Sequence, residues 1–169
     1  FMKKKDPEAA NIVMGHNEED LLGLGTIFSL LAYKKLYDGE YHPKQCVILE
    51  QELKIVIELS AATPVNVSCG NSDFYLSVNG CEARMLVHLK EGKLRQYYRN
   101  YKDYEFIPGE DTAMPKSITR YMDKSLKIAT TPQTCYTWFN CDEDFLNNEK
   151  KQMQYLTHTL PFFLDNLNK

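Results

Sequence analysis

The chain lacks any apolar run close to the roughly 18–20 residues that span a membrane. It lacks a recognisable secretory leader as well: Lys3, Lys4 and Lys5 resemble a basic leader start, but Asp6 follows instead of an apolar core. No C-x-x-C pair occurs among Cys46, Cys69, Cys81, Cys135 and Cys141, and the number of cysteines is odd. Neither a disulfide framework nor a zinc site is suggested, and free thiols in a reducing cytoplasm are expected. There is no Gly-rich phosphate loop, no serine nucleophile elbow, no internal repeat and no low-complexity segment. An excess of positive charge is missing too, since 20 Lys and Arg face 23 Asp and Glu for a net charge of −3. Any contact with nucleic acid therefore has to come from a local basic patch, not from a global field. Phe1 is an unusual first residue and reads as a cut in a longer chain.

What is present is a globular balance: 169 residues, 43% apolar and 25% charged. Residues 6–37 read as helical. Asp6-Pro7-Glu8 combines an N-cap residue, a proline suited to the first helical position and an acid in the first turn. Gly15 is the expected break, and a second helix over 17–37 is expected to bury Leu21, Leu24, Phe28 and Leu31. In this reading His16 and Asp20 face away from that stripe. Asp38-Gly39 ends the helix.

From Tyr41 the pattern turns to strands. Gln45–Leu49, Leu53–Leu59, Phe74–Val78, Ala83–Leu89, Leu94–Tyr98 and Tyr104–Ile107 are β-prone runs separated by turn residues, with Asn79-Gly80 the best hairpin signal. Residues 53–107 are expected to form one antiparallel sheet. A short helix over Pro115–Tyr121 and a closing helical stretch over Asp144–Leu167, kinked or divided at Pro161, complete an α+β chain.

The segment His16-Asn17-Glu18-Glu19-Asp20-Leu21-Leu22-Gly23-Leu24 places a histidine and an aspartate four residues apart on one side of a helix start. Spacing alone fits helix capping and dipole complementation as well as chemistry. The wider segment resembles the end of the exonuclease domain in bacterial ribonuclease H-like proteins of the DEDD group, distant relatives of the proofreading domain of family B DNA polymerases. In that family a short helix leads into a histidine-asparagine-x-x-aspartate motif at the head of the last helix. The residues carrying the resemblance here are Asp6-Pro7-Glu8, the motif itself, and the exit Tyr37-Asp38-Gly39-Glu40-Tyr41. Residues 101–117 and Thr134-Cys135-Tyr136-Thr137 resemble the C-terminal region of clostridial members.

The resemblance implies a two-metal 3′–5′ exonuclease using Mg²⁺ or Mn²⁺, with Asp20 as a metal ligand and His16 as the group that orients or deprotonates the attacking water. It implies a division into residues 1–42, the last helices of a truncated catalytic domain, and residues 43–169, an accessory α+β domain. The family's other carboxylates are not found. No strand carrying Asp-x-Glu precedes residue 16, and Asp142-Glu143-Asp144 reads Asp-x-Asp in the wrong order. The chain is therefore expected to be inactive alone.

Residues 86–106 interleave bases with aromatics. Strict alternation puts Arg95, Tyr97, Arg99 and Tyr101 on one strand face, a candidate platform for single-stranded DNA or RNA if the strand runs through Asn100. The same pattern also fits tyrosines packed inward and bases in solvent. A module that only binds nucleic acid or protein is the rival to an exonuclease fragment.

Overall fold

Proline at the first position and an acid in the first turn start α1, Pro7–Ser29. The computed structural model describes residues 7–167, apart from the side chains of residues 7, 9, 10 and 26, so Asp6, the expected N-cap, lies outside the described residues. Gly15 does not break α1. A glycine inside a helix costs about 1 kcal/mol against alanine, while a break there forfeits several backbone hydrogen bonds worth ~1 kcal/mol each. The interruption comes at Leu30, whose N–H bonds to the Ile27 carbonyl while its own carbonyl accepts from Tyr33, the tighter i→i+3 spacing. The helix expected over 17–37 is thus two, with α2 spanning Leu31–Asp38. Gly39 ends α2 in the left-handed region at φ 87.

Hairpin logic builds the main sheet. β1 (Tyr41–Leu49), β2 (Glu52–Leu59), β3 (Val67–Gly70), β4 (Phe74–Asn79) and β5 (Glu82–His88) form an antiparallel sheet in the order β1-β2-β5-β4-β3. The β4–β5 pairing closes at Asn79↔Glu82, so the two-residue loop is Gly80-Cys81, one residue later than expected, with Gly80 at φ 57. Gly70 lets β3 approach β4, because a Cβ there would lie 2.6 Å from the Phe74 carbonyl oxygen. β1 begins at Tyr41, so a boundary after residue 42 would fall inside a strand, and α2 adds Ala32 and Leu36 to the buried residues.

Residues 53–107 do not make one sheet. β6 (Lys93–Tyr97) leaves β5 and pairs with β10 (Tyr136–Asn140). β7 (Tyr104–Ile107) lies between β8 (Thr112–Pro115) and β9 (Ile128–Ala129). A 3-10 turn, Tyr101–Asp103, separates β6 from β7 and prevents β6 from running on through Asn100. α3 (Lys116–Thr119) and α4 (Glu143–Leu146) are single turns.

The closing helix α5, Glu149–Asp165, runs through Pro161 undivided. The chain breaks earlier, at Asn147-Asn148, where the Asn148 side chain accepts from the Lys151 N–H as an N-cap. α5 carries the core: Tyr155, Leu156 and Leu160 are fully buried, as are Leu53, Ile55, Ile57 and Met85 of the sheet. Phe163 stacks on Phe74 at 4.1 Å and Phe162 on Tyr97 at 3.8 Å. The fold is α+β, with helices ahead of the sheets and a helix after them. No helix among the described residues is long and apolar enough to cross a membrane.

Candidate functional site

α1 does not bury its apolar side. Leu21, Leu24, Phe28 and Leu31, expected in the core, are all exposed, with Phe28 at 64%. The helical period explains why His16 and Asp20 are not opposite this stripe. Residues four apart sit about 40° apart round a helix of 3.6 residues per turn, so His16, Asp20, Leu24 and Phe28 form one slowly turning ridge. The two polar residues continue the apolar line, and the expectation that they face away from it is corrected. His16 Nδ1 lies 3.8 Å from Glu19 Oε2, and both side chains are in solvent. Asp20 is exposed. Among the described residues no group of three or more His, Cys, Asp or Glu could hold a metal ion. Asp20 thus offers a single carboxylate, and these residues alone do not fit a divalent cation.

The platform expected from Arg95, Tyr97, Arg99 and Tyr101 does not form. β6 ends at Tyr97, whose ring is buried between Phe162 and the edge of Tyr136. Burial and the stacking contact leave it no face for a base. Arg95 lies over the Tyr136 and Trp138 rings at 4.6 and 4.7 Å. Arg99 donates to the Tyr37 hydroxyl and reaches Asp165 at 3.5 Å, tying α2 to α5. Only Tyr101 stays available, half-buried in its 3-10 turn.

Tyr101 instead joins residues distant in sequence. It lines an open cleft of about 570 Å³ with Tyr104, Lys102, Lys116, Lys124 and Lys127. Two of the four lysines are committed to the fold. Lys127 pairs with Glu105 at 2.9 Å and donates to the Thr119 carbonyl, while Lys116 donates to the Lys102 carbonyl at 2.6 Å. The Thr119 hydroxyl, followed by Lys127, holds the Glu105 carboxyl below its ordinary range. The ammonium groups of Lys102 and Lys124 have no such partner among the described residues and face solvent. Tyr104 stacks on Tyr98 at 5.2 Å, which leaves its other face and the Tyr101 ring for bases, while the two free cations can follow phosphates. Lys124 and Lys127 were not legible as site residues, because only the folding of β9 against β7 brings them to Tyr101 and Tyr104.

The cysteines offer no nucleophile in this region. Burial pushes the Cys135 and Cys141 thiols up to about 11, and that of Cys46 to about 12, so their thiolates are scarce at neutral pH. No family model, curated protein or solved structure matches the chain.

Proposed function

We propose that the chain is part of a metal-dependent 3′–5′ exonuclease acting on nucleic acid, to which α1 contributes Asp20 as one metal-binding carboxylate and His16 as the group that orients or deprotonates the attacking water. The ridge His16-Asp20-Leu24-Phe28 carries this reading. A helix with that much exposed apolar surface draws its stability from packing, not from propensity. A domain covering Leu24 and Phe28 would bring its own groups beside Asp20 and His16. Divalent cations of the Mg²⁺ or Mn²⁺ type prefer several hard oxygen ligands, and they supply the charge stabilisation that phosphodiester hydrolysis needs. The other carboxylates would come from outside the described residues, and the chain by itself would be inactive. Five free thiols suit a reducing cytoplasm. The test is the parent protein: Asp20→Asn removes most activity, and His16→Ala lowers it by about 10²-fold, the scale of a lost general base. Full activity in Asp20→Asn rejects the assignment.

A second reading, a non-catalytic module that binds single-stranded nucleic acid, has its own support in the cleft of Tyr101, Tyr104, Lys102 and Lys124. It needs no metal, and binding in the presence of a chelator tests it separately.

A further inference from the structure

A tight turn at Glu91-Gly92 folds the chain back so that Lys90 and Lys93 face each other, their backbones exchanging two hydrogen bonds of 3.0 Å. Two residues on, and therefore on the same strand face as Lys93, Arg95 has its guanidinium carbon 4.6 Å from the Tyr136 centroid and 4.7 Å from that of Trp138. The Lys90 ammonium stands 5.5 Å from the same Trp138 centroid. Lys90, Lys93 and Arg95 line one cleft of about 220 Å³, with His88, Asp73 and Trp138 among the other walls. Asp73 is the only carboxylate lining it among the described residues. Asp111 reaches Arg95 from outside the lining, with its Oδ2 4.0 Å from Nη2. Nε of Arg95 is buried and has no hydrogen-bond partner among the described residues.

We propose that this cleft binds a phosphate dianion, free or as the monoester of a small molecule. Three cations, Lys90, Lys93 and Arg95, stand against two carboxylates, Asp73 in the lining and Asp111 on Arg95, an excess of one positive charge in a chain whose net charge is −3. Like charges placed opposite one another are destabilising, and aromatic faces position cations without neutralising them. An anion seated between the two lysines removes that repulsion. The planar Arg95 fork with two lysine point charges is a donor set suited to a phosphate. The volume equals about seven waters at ~30 Å³ each, room for a phosphate bearing a few carbon atoms. This inference stands apart from the exonuclease reading, since neither α1 nor a metal enters it.

Trp138 is the chain's single tryptophan, so intrinsic fluorescence reports on the cleft directly. The intact chain is titrated with inorganic phosphate, with glycerol 3-phosphate, and with sodium chloride at matched ionic strength, following fluorescence and heat of binding together. Saturable binding of a phosphate species but not of chloride is expected. Tighter binding of glycerol 3-phosphate assigns the site to a monoester, and equal or weaker binding assigns it to phosphate itself. The double variant Lys90→Gln/Lys93→Gln, both positions exposed and outside the core, is expected to weaken binding at least tenfold. Lys44→Gln/Lys151→Gln, whose ammonium groups pair with Glu58 and Asp144, is expected to leave it unchanged. Neither heat nor a fluorescence change with either phosphate overturns the proposal. So does wild-type affinity in Lys90→Gln/Lys93→Gln.

Discussion

Replacing Lys102 and Lys124 by glutamine asks whether the cleft beside Tyr101 and Tyr104 follows a nucleic-acid backbone. Of its four lysines, Lys116 and Lys127 are spent on the Lys102 carbonyl, the Thr119 carbonyl and Glu105, so the structure leaves two ammonium groups for phosphates. Each phosphate neutralised on a single strand contributes about 0.7 to the slope of log affinity against log salt. Losing two contacts should flatten that slope by about 1.4. Between 50 and 200 mM salt, a fourfold change, the wild-type chain should lose about sevenfold more affinity than the double variant. The assay is fluorescence anisotropy of a labelled oligothymidylate with EDTA present, which keeps hydrolysis out of the measurement. Arg99→Ala serves as a control expected to leave the slope alone, because its guanidinium is already held by Tyr37 and Asp165. Equal slopes for the wild-type chain and the double variant would refute the assignment of this cleft to nucleic acid.

Three further outcomes follow from the fold. Phe163→Ala, which removes a buried ring stacked on Phe74, should destabilise the chain by about 3–5 kcal/mol in urea denaturation, and a loss under about 1 kcal/mol would contradict the packing. Cys81 is the one exposed thiol among the described residues, Cys46 and Cys69 are half-buried, and Cys135 and Cys141 are buried, so a thiol reagent at neutral pH should modify Cys81 first and Cys135 and Cys141 only on unfolding; more than three thiols modified in the folded chain would count against the burial of Cys135 and Cys141. Glu105 has its carboxyl lowered from an ordinary value of 4.5 by Thr119 and Lys127. Its contribution to stability is therefore fully present above that value and is lost as pH falls through the lower folded one. Glu105→Gln should weaken the pH dependence of stability on the acid side, and an unchanged acid limb would remove Glu105 from that role.

The parts of this fold legible in the sequence are those set by local chemistry. Proline at the head of α1, Gly39 past α2 and the alternating apolar residues of β2, β4 and β5 announce their elements through backbone geometry and burial alone. The misread features depend on distant partners. Leu24 and Phe28 have the spacing of a core stripe, but no other described element covers them. Alternation from Arg95 to Tyr101 is a strand signal cut short by the 3-10 turn at Tyr101–Asp103. Pro161 signalled a division that tertiary packing overrides, since Leu160, Phe162 and Phe163 around it are buried against the sheet. β10 takes its register from β6, some forty residues earlier, and not from its own pattern. His16 and Asp20 are proposed as site residues from their motif, and the structure sets them on one helix ridge with Leu24 and Phe28.

The proposed role of Asp20 as a metal-binding carboxylate of a 3′–5′ exonuclease is tested by the Mg²⁺- or Mn²⁺-dependent degradation of a single-stranded substrate by the parent protein, with Asp20→Asn beside the wild type. The rate should fall at least about 10²-fold in the variant, the scale of losing a group that acts on the transition state, with folding and oligonucleotide binding retained. Undiminished hydrolysis by Asp20→Asn, or robust metal-dependent hydrolysis by the 169-residue chain on its own, would contradict it.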